Sequence, residues 1–453
     1  MTTPSTSTVA NGVALVDHPR LKRRHIAAAT IGNALEFYDF LTYAFFAIQI
    51  GHALFPSQNA YASLMLSLAT FGAGFVTRPL GAIVIGAYAD RVGRKPAMLL
   101  SFTLIGASIV AMALIPPYAM IGLAAPVLAV IARMVQGFSL GGEIGSNTAF
   151  LLEAAHPERR GFTVAWQGAS QSMALVAAGA VGVILSMVLP ADALDAYGWR
   201  IAFLLGAVTL PFGLWLRSNL RETLHMPEAA GAAPAASGSR LDQARASWRV
   251  ILLGLVVLAA GTIGSYIFNY IATYAQNTLH LPSRVGFLAQ TGTSMMSFVS
   301  ILFGGWLSDR VGRRRVNVWG NLAFLLAIMP IFVWITETRT AFALTVGMSG
   351  LGALAGFIGG SFYAALGESL PKPIRGLGFG TVYSVSIAAF GGTTQLIVTW
   401  LLHVTGNPLA PAWYLLAASA VGQVALMLIP ESAPVRLAAG RSLAMKVAPA
   451  VAG

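Results

Sequence analysis

The stretch Gly86-Ala-Tyr-Ala-Asp90-Arg91-Val-Gly93-Arg94-Lys95 decides how this chain is read, because it occurs twice. It returns 219 residues later as Gly305-Trp-Leu-Ser-Asp309-Arg310-Val-Gly312-Arg313-Arg314. Each copy ends a long apolar run and precedes another, so a short charged turn repeats in a largely apolar chain. Self-similarity at a fixed offset marks a duplicated unit. A second pair points the same way. Glu153 and Arg160-Gly161 return as Glu368 and Arg375-Gly376, offset by 215.

The apolar runs set the class. Of 453 residues, 56% are hydrophobic and 10% charged, where soluble domains carry about 25% charged residues. Runs near 20 residues recur throughout, long enough to cross a ~30 Å hydrocarbon layer as helices. We count twelve, at 25–51, 62–89, 96–116, 121–152, 163–189, 199–217, 249–278, 284–308, 316–335, 341–367, 377–404 and 412–430. The fourth is too long for one straight crossing, and Gly137, Gly141, Gly142 and Gly145 offer places to bend it. The expected fold class is an all-α integral membrane protein of two six-helix bundles. The N-terminal bundle spans 25–218 and the C-terminal bundle 249–430. Residues 219–248 join them as an Ala/Gly/Pro/Ser-rich cytoplasmic linker, a composition that suits a flexible connection. Residues 1–24 read as a disordered cytoplasmic tail without the apolar core of a signal peptide, and 431–453 as a second tail.

Charge placement sets the orientation. With the N-terminus inside, 23 of the 28 Lys and Arg fall on inside segments. Arg200, Arg284 and Arg339 fall outside, and Arg78 and Arg133 lie within spans. Cytoplasmic excess of basic residues is the expected bias, so both termini are placed inside a plasma or bacterial inner membrane. The net charge of +12 then reflects topology rather than a nucleic-acid partner. With no cysteine there is no disulfide framework or thiolate metal site. No P-loop, zinc spacing or Ser/His/Asp set stands out, so neither ATP-driven chemistry nor an enzyme is expected, and no metal site.

At this point the chain resembles the major facilitator superfamily. The repeated turn is similar to its signature loop between spans two and three, and Arg133-x-x-Gln136-Gly137 to its span-four signature. Gly32-Asn33-Ala-Leu-Glu36-Phe-Tyr38-Asp39-Phe40 narrows the resemblance to the metabolite:proton symporters, with Phe71-Gly72-x-Gly74-Phe75-x-x-Arg78-Pro79-x-Gly81 in agreement. Tyr61-Ala-Ser-Leu-Met65 and Trp166-Gln167-x-Ala169-Ser170-Gln171 look most like the citrate and tricarballylate branch. The resemblance implies alternating access between two rocking bundles around a midplane site. Spans one, four, seven and ten would line the cavity, helped by two, five, eight and eleven. Spans three, six, nine and twelve would face lipid. The implied function is proton symport of an organic acid, citrate or a related tricarboxylate. The alternatives are a dicarboxylate, an aromatic acid, a zwitterion, or a nutrient sensor that does not transport. The expected partners are that small acid, protons and lipid, around a monomer driven by the proton gradient without a cofactor.

The residues carry the detail. A carboxylate at membrane depth costs roughly 2.5–3.5 kcal/mol even on a lenient scale, so Glu36 and Asp39 face a cavity or a partner. Either is a proton carrier or part of a structural pair. Arg133 offers a planar fork for a carboxylate, and an ion pair with a span-one acid is its expected coupling role; Glu143 is another possible partner. Arg78 is a candidate to bind a substrate carboxylate bidentately, or else snorkels to the interface. Asn33, Gln136, Gln167 and Gln171 offer amides to substrate or to neighbouring helices. In the second half Tyr266, Asn269 and Tyr270 are the better site candidates, with Tyr363 and Gln395 behind them. Tyr274 reads as an interfacial anchor, and His52, His280 and His403 as interfacial rather than proton relays. The cytoplasmic gate that the resemblance implies takes Gly86, Asp90, Arg91, Gly93 and Arg94, Asp309, Arg310, Gly312 and Arg313, with Glu153, Arg160, Glu368 and Arg375.

Overall fold

The computed structural model describes residues 23–141, 151–152, 155–208, 211, 240–371 and 374–434. Glu143, Glu153 and most of the expected linker lie outside them, as do the side chains of Glu36, Asp90 and Arg94. Among the described residues the chain is all helical, and nine helices have the length and hydropathy to cross a membrane. The longest uninterrupted span, eleven, has 31 residues, and spans five, eight and ten have 29 each, about 43–47 Å at 1.5 Å per residue. That exceeds the ~30 Å apolar layer, so their ends project from it.

Three expected spans are broken, and the breaks have local causes. Span two consists of Ala60–Val76 and Arg78–Val92. Pro79 supplies no amide hydrogen, so the carbonyl of Phe75 is met instead by the amide of Thr77. The Thr77 hydroxyl donates to Met134 O on span four at 2.7 Å, which holds the break against its neighbour. Span one divides into Arg23–Phe45 and Ala47–Leu54, and span seven into Trp248–Asn269 and Ile271–Asn277. Span three is Arg94–Leu114, span four Ala124–Leu140 and span five Arg160–Val188. The described part of span six is Trp199–Val208. Spans eight to twelve are Ser283–Val311, Arg313–Thr338, Ala341–Ser369, Arg375–Thr405 and Ala410–Leu428. The described end of the linker, Arg240–Ala246, is a short helix.

Glycines bring spans two and four into backbone contact. A Cβ at Gly137 would overlap Gly74 O, and one at Gly141 would overlap Arg78 O. In the second half a Cβ at Gly352 would meet Thr293, and one at Gly356 would meet Ser297 O. Gly137 to Gly352 and Gly141 to Gly356 are shifts of 215; Gly74 to Thr293 and Arg78 to Ser297 are shifts of 219. These are the offsets of the two sequence repeats, so spans eight and ten repeat the crossing of spans two and four. Without a hydrophobic drive between helices in lipid, such close backbone packing is a principal source of cohesion.

Two seams join the halves, and both are closed along their length. Spans five and eight run antiparallel through Gly161–Gly305, Gly168–Ile301, Gly179–Thr291 and Gly182–Phe287. Spans two and eleven meet at Gly72–Gly392 and Phe75–Gly391. At the end away from the signature turns, Tyr61 stacks on His403 at 3.8 Å between ring centroids. There Gln49 also donates to Gln276 at 3.2 Å, linking spans one and seven. The outer helices, spans three, six, nine and twelve, present Leu114, Val208, Trp319 and Val424 outward, as a lipid-facing surface requires.

Candidate functional site

Between the halves lies a cavity of about 240 Å³. Phe37, Leu41, Gln171 and Ser172 line it from the first half. Tyr266, Asn269, Gln290, Ser294, Tyr363 and Tyr383 line it from the second. Four expected binding residues therefore reach it: Gln171, Tyr266, Asn269 and Tyr363.

The two interior arginines stand behind one wall of this cavity. Arg78 and Arg133 are 4% and 1% exposed, and their guanidinium carbons lie 4.5 and 4.4 Å from the centroid of the same ring, Phe40. Arg78 also covers Phe75 at 4.6 Å, and Arg133 covers Tyr43 and Phe71 at 4.7 and 5.0 Å. Phe75 in turn meets Tyr266 edge-on at 5.3 Å, so one aromatic layer separates the cations from the cavity. Desolvated cation–π contacts are worth about 2 kcal/mol each, enough to hold the guanidiniums in place but not to replace a counter-ion. Arg133 donates to Gln136 Oε1 at 2.5 Å and to Phe40 O at 3.5 Å. The Nε atoms of Arg78 and Arg133 have no hydrogen-bond partner, and neither arginine forms an ion pair among the described residues.

Of the two span-one acids expected to pair with Arg133, Asp39 does not, and the Glu36 side chain lies outside the described residues. Phe40 takes the face of span one that meets Arg133, and the next residue back along the helix points elsewhere. Asp39, 1% exposed, lies against span six, where a Cβ on Gly206 would overlap its Oδ1. Its neighbour Tyr38 donates to Ala202 O on the same span at 3.2 Å.

Several expected substrate ligands are bonded within one half instead. Asn33 donates to Ser170 Oγ at 2.7 Å and to Gln167 O at 3.3 Å, joining spans one and five. Tyr270 sits at the break in span seven, accepts from Thr399 Oγ1 at 2.9 Å and does not line the cavity. Gln395 donates to Tyr266 O at 3.5 Å behind the cavity wall. Tyr274 donates to Pro408 O at 2.7 Å, a helix anchor as expected. Gln290 and Tyr383 are the lining residues that sequence reasoning missed. Gln290, Thr293, Ser294 and Ser297 fall at i, i+3, i+4 and i+7 of span eight, a polar stripe that was there to be found.

At the end bearing the repeated turns, the second copy is fully resolved. Asp309 accepts from the amides of Gly161 and Phe162 at 2.8 and 2.9 Å, which places its carboxylate on the N-terminus of span five. That helix end carries a partial positive charge, so one carboxylate caps it across the seam between halves. Arg313, fully buried, pairs with Asp309 at 2.7 Å and with Glu368 at 3.2 Å, and donates to Ser308 Oγ at 2.6 Å. A Cβ at Gly161 would crowd Gly305 O at 2.6 Å and Ser308 Oγ at 2.8 Å, so only glycine fits there. Glu431, just beyond span twelve, caps the start of span nine by accepting from Arg313 N at 2.8 Å and Arg314 N at 3.2 Å. Gly93 and Gly312 hold the two turns at φ +123° and +106°, a region glycine enters without cost. Arg310 stacks on Trp306 at 4.0 Å, Arg91 is exposed, and Arg375 donates to Leu370 O at 3.3 Å. Arg160 opens span five beside Gly161.

The chain matches the family model "Sugar (and other) transporter" over residues 25–226 and 218–439. It is 35% identical over 411 residues to a citrate-proton symporter of Salmonella typhi, covering 89% of this chain and 93% of the relative. It is also 35% identical over 417 residues to a citrate-proton symporter of Klebsiella pneumoniae, covering 92% and 94%. Among solved structures, a D-xylose-proton symporter superposes with a TM-score of 0.69 at 17% identity, covering 90% of this chain and 97% of that one. With the duplicated six-span halves, the glycine crossings and the repeated turn already in place, the chain belongs to the sugar (and other) transporter family of the major facilitator superfamily.

Proposed function

We propose that this chain is a proton-coupled symporter that imports a tricarboxylate, citrate by preference, by alternating access. The observation that carries the reading is the pair of buried arginines on Phe40 with no described carboxylate beside them. Leaving a charge buried and unpaired costs several kcal/mol, and two neighbouring cations repel as well. A multiply charged anion relieves both terms, whereas a zwitterion or a sugar does not. The two citrate-proton symporters that the chain is similar to support the same substrate class.

In this reading the aromatic layer of Phe75 and Tyr266 is a door. Rocking of the two halves, 25–218 and 249–430, moves it aside and lets carboxylates reach Arg78 and Arg133. Asp39 and Glu36 are the proton sites on span one, with Glu143 as a further candidate, and the proton gradient replaces any cofactor. The basic bias puts both termini and both repeated turns in the cytoplasm. The Asp309 cap on span five is then the bond that breaks when the cytoplasmic side opens. The monomer contains one complete pathway.

The test is uptake of labelled citrate into proteoliposomes, with and without an imposed proton gradient. Accumulation should require the gradient, and Asp39→Asn should retain exchange while losing uphill uptake. Robust uptake of betaine or shikimate, with no gradient-dependent citrate accumulation, overturns the substrate assignment.

A further inference from the structure

One amide oxygen in the cavity wall is left unsatisfied. Gln290 on span eight is 1% exposed, and its Oε1 has no hydrogen-bond partner. Its Nε2 is used, donating to Ser294 Oγ at 3.3 Å. Gln171 on span five lines the cavity from the other half, where its side chain donates to the Tyr383 hydroxyl. Three hydroxyls of the same wall are committed to backbone carbonyls. Thr262 donates to Leu258 O at 2.7 Å, Thr293 to Ala289 O at 2.7 Å and Ser297 to Gly352 O at 2.8 Å. What Gln290 lacks is a donor.

A carboxylate does not meet that need, because an ionised carboxylate has no hydrogen to give. The arginines that bind carboxylates therefore leave Gln290 unexplained. An alcohol meets it, donating through its hydrogen. We infer that Gln290 Oε1 is the acceptor for a hydroxyl on the substrate, so that this carrier selects hydroxylated polycarboxylates over acids that match them but lack the hydroxyl. The inference rests on the carrier reading above and narrows its substrate class.

A buried acceptor with nothing to accept is penalised far more than a neutral site would be, which is why hydroxyl-reading pockets discriminate strongly. The experiment uses the full chain in proteoliposomes and compares inhibition of labelled citrate uptake by unlabelled citrate and by tricarballylate, the same three carboxylates without the hydroxyl. Citrate should inhibit at a concentration roughly ten- to a hundredfold lower. Gln290→Met, of similar length without the acceptor, should bring the two within about threefold, chiefly by weakening citrate. The methyl ether of the citrate hydroxyl, which accepts but no longer donates, should lose the advantage on the unaltered protein. That arm keeps the test decisive if the variant does not fold. Equal inhibition by citrate and tricarballylate, an unchanged ratio in Gln290→Met, or an ether as potent as citrate each overturn the assignment while leaving tricarboxylate transport standing. No uptake of any tricarboxylate overturns both.

Discussion

The two halves share a scaffold and differ in what it carries. Where Gly141 meets Arg78 in the first half, Gly356 meets Ser297 in the second; where the first half has Arg133, an offset of 215 places Met348. Backbone crossings survived the duplication, and the cations did not. The first half holds Arg78, Arg133 and Asp39 in its interior. The second offers tyrosines, amides and hydroxyls such as Tyr266, Asn269 and Gln290. One half supplies charge and the other shape and hydrogen bonds, so a substrate held between them needs both. A rocking mechanism gains from this division, since neither half alone holds the ligand.

Neutralising the charged half should have the largest effect. Arg78→Gln and Arg133→Gln should each lower citrate uptake roughly ten- to a hundredfold or more, since a hydrogen bond to a charged group is worth about 1.5–3 kcal/mol. The matched changes Ser297→Ala and Met348→Leu should cost less than about threefold, because the first removes one neutral hydrogen bond, to Gly352 O on span ten, and the second conserves volume. Initial rates in proteoliposomes at matched protein content decide it. Comparable losses from the second-half pair would mean that the site is not polarised.

The scaffold itself is tested by its glycines, with a smaller effect on transport than on stability. Gly137→Ala drives a methyl into Gly74 O, a backbone atom fixed on both sides. Gly352→Ala meets Thr293 Cγ2 at 2.7 Å and Thr293 O at 2.8 Å, tight contacts but short of the outright overlap at Gly137. Overpacking typically costs about 1–3 kcal/mol and sometimes more, and Gly137→Ala should lie at or above the top of that range. Thermal unfolding in detergent should show a drop for Gly137→Ala at least twice that for Gly352→Ala. Equal drops would mean that the two crossings are equally tight in solution.

Legibility in the sequence followed the same division. The expected ends of spans eight to twelve agree with the helices within a few residues, because apolar length and the repeated turn constrain them directly. The site was harder to read. Periodicity tells which residues share a face, not where that face points once a helix breaks. Tyr266, Asn269 and Tyr270 fall together on an unbroken helix, yet the break at Tyr270 turns that ring toward Thr399 and out of the cavity. Asp39 is another case: its depth was evident, but span one's rotation gives Phe40 the arginines and leaves Asp39 to Gly206. Gln290 belongs to a polar stripe that periodicity does show, but within that stripe only its unpartnered Oε1 singles it out, and that needs the fold.

The two ends of the molecule extend the contrast, and the smallest expected effect lies there. At the turn end, Arg313 is buried with Asp309 and Glu368, so its charges are shielded from salt and solvent. At the other end His52 Nδ1 lies 3.2 Å from Asp195 Oδ2, with the side chains 50% and 44% exposed. The hydrogen bond that His52 donates to Asp195 raises its pKa above the usual 6.5, partial burial opposes the rise, and the carboxylate's charge adds to it. A raised folded-state value means protonation favours the folded protein. The stabilisation is complete below the unfolded value near 6.5 and disappears as pH climbs through the folded one. Half-exposed pairs are worth at most about 1 kcal/mol, so the effect is a small step in the unfolding temperature between pH 6 and pH 8.5. His52→Gln should remove that step, and 0.5 M salt should flatten it in the unaltered protein, since screening at that strength acts within a few ångströms. A step of equal size in His52→Gln would assign it to another group and leave this end of the molecule without a titrating contact.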